Sequence, residues 1–262
     1  MTKIKLLNYK CSIFARKLYR FINSFRFYGD KYYCPFCKGN FSHLLPQGFD
    51  NNAILKYKII SAGYRNNSIC PRCKSKDRER LIYLYLMKRK EELFSYQLKL
   101  LHVAPEENLS HYFRSNSNID YTSADLNPSF EDVKMDITKI DKRNNTYDIV
   151  ICNHVLEHVP DDTKAMKEIY RILKQGGFAI LQVPISETLE YTVEDFSITT
   201  SEEREIVFGQ HDHVRIYGKD YVSRLTQSGF NIEIISCKSL FNSDEINRYS
   251  LLENETIFLC NK

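Results

Sequence analysis

The sequence predicts an α/β protein with a Rossmann-like sheet of seven strands, mostly parallel with an antiparallel last strand, behind a small N-terminal module. Three observations carry this prediction. From Leu98 onward, short apolar segments alternate with helical ones, which is typical of βαβ units. The stretch 147–162, YDIVICNHVLEHVPDD, begins as a buried strand and ends in polar, titratable groups. Residues 32–75 are turn-rich and contain two CxxC pairs.

The alternating segments give the individual elements. The predicted strands are 98–103, 119–124, 131–135, 147–153, 178–184, 230–237 and 255–260. The predicted helices are 76–94, 161–174 and 218–228. A polar loop without a strong helix separates the last two strands. Since a parallel connection needs a crossover of a dozen or more residues, we expect one antiparallel strand inserted into the sheet.

Length and composition favour one large domain with a small appendage. The chain has 262 residues, and 43% of them are hydrophobic, which suffices for a substantial core. We divide it into a basic amphipathic helix (1–31), a metal-binding module (32–75) and a large domain (76–262) that includes a linking helix (76–94). The sequence contains no run of 18 apolar residues, so we expect no membrane-spanning helix. The N-terminus lacks the apolar core of a secretory signal, so we expect a cytoplasmic protein.

The positive charge is concentrated at the N-terminus. Residues 1–32 hold eight Lys/Arg and one Asp, whereas the remainder holds 29 basic and 32 acidic residues. Within 3–27, apolar residues recur at helical spacing. They are Leu7, Cys11, Phe14, Leu18, Phe21 and Phe25. Three interpretations stay open: a helix docked on its own protein, a peripheral contact with an anionic membrane, or a contact with a partner or nucleic acid.

The two CxxC pairs predict a structural zinc site. Cys34 and Cys37 form one pair, and Cys70 and Cys73 form the other. Four thiolates complete the tetrahedral coordination that zinc prefers, and a closed site of this kind leaves no open position for catalysis. Eight cysteines in a chain without a predicted signal also favour metal binding or free thiols over disulfides. Redox-active or incidental cysteines are the alternative.

Polar residues follow several predicted strands at the same edge of the sheet. In open α/β sheets, ligands bind outside the carboxyl ends of the strands. Glu106, Asp125, Asp136, Asn153 and His154 all occupy such positions. Asp125 lies about twenty residues after the end of the first strand, the offset of an acid that binds ribose hydroxyls. Capping of strand–helix junctions is the alternative role for each residue taken alone.

The segment 147–184 carries a family resemblance. Its sequence, YDIVICNHVLEHVPDDTKAMKEIYRILKQGGFAILQVP, resembles class I S-adenosylmethionine-dependent methyltransferases of the type 11 group, which have FDxVxxxxVLEHV followed by xEIxRxLKPGG. Here Lys-Gln-Gly-Gly replaces Lys-Pro-Gly-Gly. The resemblance covers about 98–260. The stretches HVAPEENL, VKMDIT and FGQHDHVRIYGKDYVSRL further resemble a bacterial subgroup with an N-terminal CPxC…CPxC module, which implies a zinc-ribbon-like module here.

The resemblance implies S-adenosylmethionine as cofactor and assigns roles to the strand-end residues. Asp125 would bind the ribose, Asp136 and Ile137 would flank the adenine, and Asn153 and His154 would lie beside the methionine part. The family's GxGxG after the first strand is replaced by Ala104-Pro105-Glu106-Glu107-Asn108. Either Ala104 and Glu106 form an adapted loop in which Glu106 contacts the cofactor's amino group, or cofactor binding is weakened.

The stretch 208–218, FGQHDHVRIYG, is the predicted acceptor-binding segment. It follows the fifth strand and concentrates polar residues. His213 or His211 is the candidate general base, with Asp212 as its orienting partner. Arg215 would pair with a carboxylate or phosphate on the acceptor, because the guanidinium fork suits planar anions. The alternative is that these residues only fasten a loop to the domain.

These observations predict an S-adenosylmethionine-dependent methyltransferase (EC 2.1.1.-) that acts on a small molecule or glycan precursor. One alternative is an RNA methyltransferase that grips nucleic acid with the zinc module and the basic helix. A second is a non-enzymatic relative that lost cofactor binding through its glycine-free loop. The net negative charge outside residues 1–32 disfavours the RNA alternative, since phosphates would be repelled.

Overall fold

The computed structural model describes residues 21–128 and 131–262. The helices are α1 (21–26), α2 (Asn52–Tyr57), α3 (Asp77–Lys88), α4 (Lys90–Leu93), α5 (Glu107–Ser115), α6 (Asp162–Ile172), α7 (Ser201–Phe208), α8 (Tyr221–Gln227), α9 (Cys237–Leu240) and α10 (Ser243–Tyr249), with a 3-10 turn at Leu156–His158. The strands are β1 (Tyr28–Cys34), β2 (Gly39–Phe41), β3 (Leu45–Gln47), β4 (Ile59–Ile60), β5 (Arg65–Ile69), β6 (Leu98–Val103), β7 (Ile119–Asp125), β8 (Val133–Lys134), β9 (Tyr147–Cys152), β10 (Leu173–Ile180), β11 (Ile185–Ser186), β12 (Val193–Glu194), β13 (Arg215–Ile216), β14 (Asn231–Ser236) and β15 (Thr256–Asn261).

Most of the amphipathic helix predicted at 3–27 lies outside the described residues. Its described end, α1, leaves Phe21 and Phe25 largely exposed. Among the residues that the structure describes, none belongs to a helix that is both long enough and apolar enough to cross a membrane.

Seven strands form the main sheet in the order β14-β15-β10-β9-β6-β7-β8. All run parallel except β15, which pairs antiparallel with β10 and β14. The predicted mostly parallel sheet with an inserted antiparallel strand is confirmed. The third strand is shorter than predicted, and β10 begins at Leu173, five residues earlier than predicted. A register shift between Leu173 and Phe178 accommodates the Lys-Gln-Gly-Gly turn inside this strand.

The central strands are buried on both faces, which explains their unbroken apolar sequence. In β9, Val150 and Cys152 pack on one face with apolar residues of α6 and α8. Ile149 and Ile151 pack on the other face with residues of α3, α5 and α10. Since neighbouring side chains of a strand alternate between faces, a strand covered by helices on both sides must be apolar throughout.

The N-terminal module is joined to the large domain by backbone pairing and side-chain contacts. Strand β4 pairs antiparallel with β11, so Ile60 lies opposite Ile185. At the start of α2, the Asn51 side chain donates to the Gly209 carbonyl at 2.9 Å. From the domain side, Arg248 donates to Asn40 at 2.6 Å. The module therefore packs directly against the large domain and is not joined to it by a linker alone.

Arg80 of α3 makes the densest of these connections. Its guanidinium is fully buried and donates to four backbone carbonyls. These are Ser68 (3.0 Å), Ser75 (2.8 Å), Tyr249 (2.8 Å) and Ser250 (2.7 Å). Ser68 and Ser75 flank the second CxxC pair, whereas Tyr249 ends α10 and Ser250 follows it. One side chain therefore fixes the module against the C-terminal part of the domain.

Replacing Arg80 with lysine should destabilise the protein strongly. A lysine keeps the charge but cannot reach four carbonyls in a fixed fork, and each buried group left unpaired costs about 1–3 kcal/mol. We expect a loss of about 2–6 kcal/mol, measured as a shift of the urea midpoint. The matched control is Arg143→Lys, because the Arg143 side chain is exposed and substitutions at exposed positions usually change stability by no more than about 0.5 kcal/mol. Equal midpoints for the two variants would contradict the role of Arg80.

Candidate active site

Two tight turns follow the neighbouring strands β6 and β9. Ala104 and His154 are the residues in question, and both have left-handed backbone conformations, with φ of 45° and 53°. Such a conformation costs a non-glycine residue about 1–2 kcal/mol. Hydrogen bonds hold both turns: the Ala104 N–H donates to Ala124 at 2.8 Å, and the His154 N–H donates to Gln182 at 2.7 Å. Ala104 thus adopts the conformation that a glycine would favour, although the loop contains none.

Glu106 lies beside these turns in a buried polar network. Its Oε2 is 2.7 Å from His102 Nε2, and the other ring nitrogen of His102 is 3.1 Å from the Tyr121 hydroxyl. Burial by itself would raise the pKa of Glu106, but the hydrogen bond and charge of His102 outweigh it and the net pKa is lowered. An ionised carboxylate therefore lies at the carboxyl end of β6.

Asn153 connects this network to β9. Its Nδ2 donates to Glu106 Oε1 at 3.4 Å, while its Oδ1 is buried and has no hydrogen-bond partner within the described ranges. A buried carbonyl oxygen without a donor is costly, and a polar ligand group would satisfy it. The residues at this edge therefore fit the polar methionine end of the cofactor that the sequence predicts.

The other predicted cofactor residues lie along the same edge. Asp125 ends β7, and its Oδ1 accepts from the Asn127 N–H at 2.8 Å. Asp136 follows β8, and its Oδ1 accepts from the Thr138 N–H at 2.9 Å; the bonds from Thr138 lower the pKa of Asp136. Asp136 is exposed, whereas Ile137 is buried in the core. Their roles in ribose and adenine binding stay predictions.

A cavity of about 240 Å³ lies next to this edge, between the N-terminal module and the large domain. The module contributes residues 47–49 and 61–63, together with Arg65, and Lys76 and Arg78 follow from the start of the linking segment. The domain contributes His154, Glu157, His158, residues 208–210 and His213. Asp125 and Asp136 do not line it. His154 therefore lies where the predicted cofactor edge and the cavity meet.

Several cavity groups are buried and titratable. Burial raises the pKa of Glu157 to about 8 and is the largest cause of a lowered pKa of about 3 for His213. Glu157 Oε1 is 3.4 Å from His154 Nδ1, and the His158 and His213 rings meet edge-on at 4.7 Å. Glu157 Oε2 and His154 Nε2 have no hydrogen-bond partner among the described residues. The cavity therefore offers unpaired groups to a polar ligand.

Two cations reach the cavity from the segment after the second CxxC pair. Arg78 Nε is buried and lacks a hydrogen-bond partner in the part of the chain that the structure describes. Burial lowers the pKa of Lys76. Neither residue was among the site residues predicted from the sequence, although the stretch KSKDRER directly after Cys73 is basic. They reach the site because α3 begins beside it.

The predicted catalytic residues are not equivalent in the structure. His213 is buried and lines the cavity. The His211 side chain is 64% exposed and does not line it. Arg215 is buried, and it donates to Glu194 at 2.9 Å and to the carbonyls of Leu156, Val159 and Pro160 at 2.7, 2.5 and 2.8 Å.

These contacts disfavour the expected role of Arg215 as a binding site for an acceptor anion, although the residue lines the cavity. With its donors directed at one carboxylate and three carbonyls, its guanidinium has no free fork for an acceptor anion. It fixes the turn after β9 instead, which positions Glu157 and His158. For Arg215, these contacts favour the alternative role, in which the residue fastens a loop to the domain.

The four predicted zinc ligands lie together. Cys34 Sγ is 3.5 Å from Cys73 Sγ, and Cys37 Sγ is 3.7 Å from Cys70 Sγ. Four sulfurs around one zinc ion at about 2.3 Å would be about 3.8 Å apart. Each pair is followed by a lysine with left-handed backbone, Lys38 (φ 53°) and Lys74 (φ 64°). The arrangement fits one tetrahedral ion.

Comparison with known proteins gives one family match. Residues 97–181, about a third of the chain, match the protein family described as a methyltransferase domain. The matched segment contains the predicted cofactor residues from Ala104 to His154. The four clustered cysteines and residues 208–218 lie outside it. The match supports a methyltransferase domain built on β6–β10.

The individual proteins that resemble this chain match it either over a short segment or at low sequence identity. An arsenite methyltransferase of Mus musculus is 43% identical over 49 residues, which cover 16% of this chain and 13% of that protein. The cyclase SpnF superposes with a TM-score of 0.49 at 14% identity, over 71% of this chain and 82% of its own. A SAM-dependent methyltransferase from Archaeoglobus fulgidus gives 0.46 at 15% identity, over 71% and 95%.

The cysteine cluster predicts about one zinc ion per chain. Elemental analysis of freshly purified protein measures it directly. The double variant Cys34→Ser/Cys70→Ser should lose the ion because serine hydroxyls are poor zinc ligands at neutral pH. Cys152→Ser is the control, since Cys152 lies in the core away from the cluster. Zinc-free parent protein, or unchanged zinc in the double variant, would overturn the assignment.

Proposed function

We propose that the chain is an S-adenosylmethionine-dependent methyltransferase whose acceptor binds in the cavity between the module and the domain. The observation that carries this proposal is the position of His154. Its backbone forms the turn after β9 at the predicted cofactor edge, and its side chain lines the cavity. A methyl group held at this edge would therefore face a ligand in the cavity.

The residues that would hold the cofactor follow from the strand ends. Asp125 would bind the ribose hydroxyls, Asp136 and Ile137 would flank the adenine, and Asn153 with Glu106 would bind the methionine end. The unpaired Oδ1 of Asn153 and the ionised Glu106 suit an ammonium group. When bound, the cofactor supplies a methyl group on a sulfonium centre.

The chain's own contribution is to position the acceptor. Methyl transfer needs the nucleophile and the methyl group close together and collinear, and a cavity walled by both the module and the domain would restrict the orientations of the acceptor. Burial lowers the pKa of His213 to about 3, so the imidazole is neutral in the empty cavity. An anionic acceptor bound beside it would raise that pKa toward the range in which a histidine serves as a general base. The exposed His211 lacks such a position, which makes His213 the stronger candidate of the two.

The cavity favours a small-molecule or glycan-precursor acceptor with an anionic group. Lys76 and Arg78 provide positive charge at its wall, and Arg78 Nε lacks a partner in the described residues. A volume of about 240 Å³ admits a ligand or one ring of a larger molecule. A cavity of this size gives little support to the RNA alternative, because most of an RNA chain would lie outside it. The left-handed Ala104 weakens the non-enzymatic alternative, because the turn keeps its shape without glycine.

Binding of S-adenosylhomocysteine tests the cofactor assignment. Calorimetry should detect binding, and Asp125→Ala should weaken it by about 1–3 kcal/mol, the scale of hydrogen bonds to a charged group. Asp120→Ala is the matched control: it lies on the same strand, but its exposed side chain is 3.8 Å from Lys99 at the far end. No binding by the parent would favour the non-enzymatic alternative. Equal affinity in Asp125→Ala would move the ribose site elsewhere.

Turnover tests the acceptor side. Acceptors are first sought by incubating cell extracts with cofactor carrying a labelled methyl group. His213→Ala should then lower the rate about 10²–10⁴-fold, the range for loss of a general base, with the affinity for S-adenosylhomocysteine unchanged. His211→Ala should methylate at the parental rate, since its side chain is mostly exposed. If both variants match the parent, the segment is structural. If His213→Ala loses cofactor binding, the loop closes over the cofactor.

A further inference from the structure

We propose that Glu157, His158 and His213 bind a divalent transition-metal ion at the wall of the cavity, separate from the four cysteines. One carboxylate oxygen and two imidazole nitrogens, one from each residue, lie within 4.8 Å of one another. Donor atoms around a single ion at about 2.0–2.2 Å are about 3–4 Å apart. Small side-chain rotations would therefore close the three groups around an ion.

Glu157 is buried beside the two histidines, and only one of its carboxylate oxygens is near an imidazole nitrogen. Its side chain is 2% exposed, and its Oε2 has no hydrogen bond within residues 21–128 and 131–262. Its Oε1 is 3.4 Å from His154 Nδ1 and 4.0 Å from His158 Nε2. A buried carboxylate surrounded by imidazoles, with one oxygen unsatisfied, needs a cation or a donor, and a metal ion supplies the cation.

The surroundings of His158 match those of a metal-bound histidine. Its Nδ1 is 3.2 Å from the Asp212 carbonyl and 3.3 Å from the Asp212 carboxylate. A histidine that donates from one ring nitrogen to a carbonyl or carboxylate keeps the other nitrogen free and oriented as a ligand. Here the free nitrogen is Nε2, the one that faces Glu157. Asp212 is thus a positioning residue for the ion.

The donor set selects the class of ion. Two imidazoles and one carboxylate suit zinc, iron, cobalt or nickel better than magnesium or calcium, which prefer oxygen ligands. Three protein ligands leave coordination positions open toward the cavity, as in sites where the ion binds a further oxygen ligand. If the proposed function holds, that ligand is a hydroxyl or carboxylate oxygen of the acceptor. His213 would then be an ion ligand rather than a free base.

Titration with Co²⁺ tests the site without cofactor or acceptor. Protein whose cysteine cluster is already filled with zinc should bind about one further Co²⁺. The visible absorption should lack the intense thiolate charge-transfer band, because the donors are nitrogen and oxygen. Glu157→Gln should weaken Co²⁺ binding at least about 10-fold, and Asp212→Asn by about 10–100-fold, the usual effect of losing an outer-shell partner. His211→Ala is the matched control in the same loop and should bind as the parent does.

Retention of one zinc per chain and of the parental melting temperature shows that each variant is folded. If Glu157→Gln fails this check, His158→Gln replaces it with the same expected loss. The proposal is overturned if the parent binds no Co²⁺ beyond the cysteine cluster, or if the ligand variants bind it as tightly as the parent. Since S-adenosylhomocysteine binding is measured separately, failure of the metal site and failure of the methyltransferase assignment are distinguishable.

Discussion

The buried fork of Arg80 is the interaction on which the arrangement of the site depends. Its guanidinium holds carbonyls of residues 68 and 75 together with carbonyls of residues 249 and 250. A buried cation is stable only if its donors are satisfied, so these segments have few alternative positions. The segment that carries Lys76 and Arg78 lies between Ser75 and Arg80, so the same contacts fix it relative to the C-terminal part of the domain. Lys76 and Arg78 line the cavity, and their position therefore depends on this join between parts of the chain that are distant in sequence.

This arrangement suggests a structural role for the cysteine cluster, in which the metal takes no part in catalysis. A zinc ion held by four thiolates would rigidify the turn that precedes Lys76, and Arg80 transmits that position to the domain. The module supplies one wall of the cavity, and the turn after β9 with residues 208–216 supplies the other. Arg215 plays the equivalent part on the domain side, since it ties the turn after β9 through three carbonyls. Both arginines act by placing other groups.

The sequence predicted the parts of the fold that follow from local patterns. Strand β9 was recognisable because both faces are buried, and the cysteines because their spacing fits one ion. The loop after β6 was harder to predict. The absence of glycine suggested a changed loop, yet Ala104 adopts the left-handed conformation that glycine favours. The cavity was not predictable, because its walls come from segments about a hundred residues apart. The contacts of Arg215 were not predictable either. An arginine can bind an anionic ligand or donate to backbone carbonyls, and only the tertiary structure decides between the two.

We propose that the cofactor's reacting end faces the cavity beside His154. A crystal structure with bound S-adenosylhomocysteine tests it most directly. We expect the ribose at Asp125, the amino group near Glu106 and Asn153, and the sulfur directed toward the cavity wall formed by His154 and Glu157. A complex in which the sulfur points away from this cavity, or in which the ligand occupies another part of the sheet edge, would contradict this proposal.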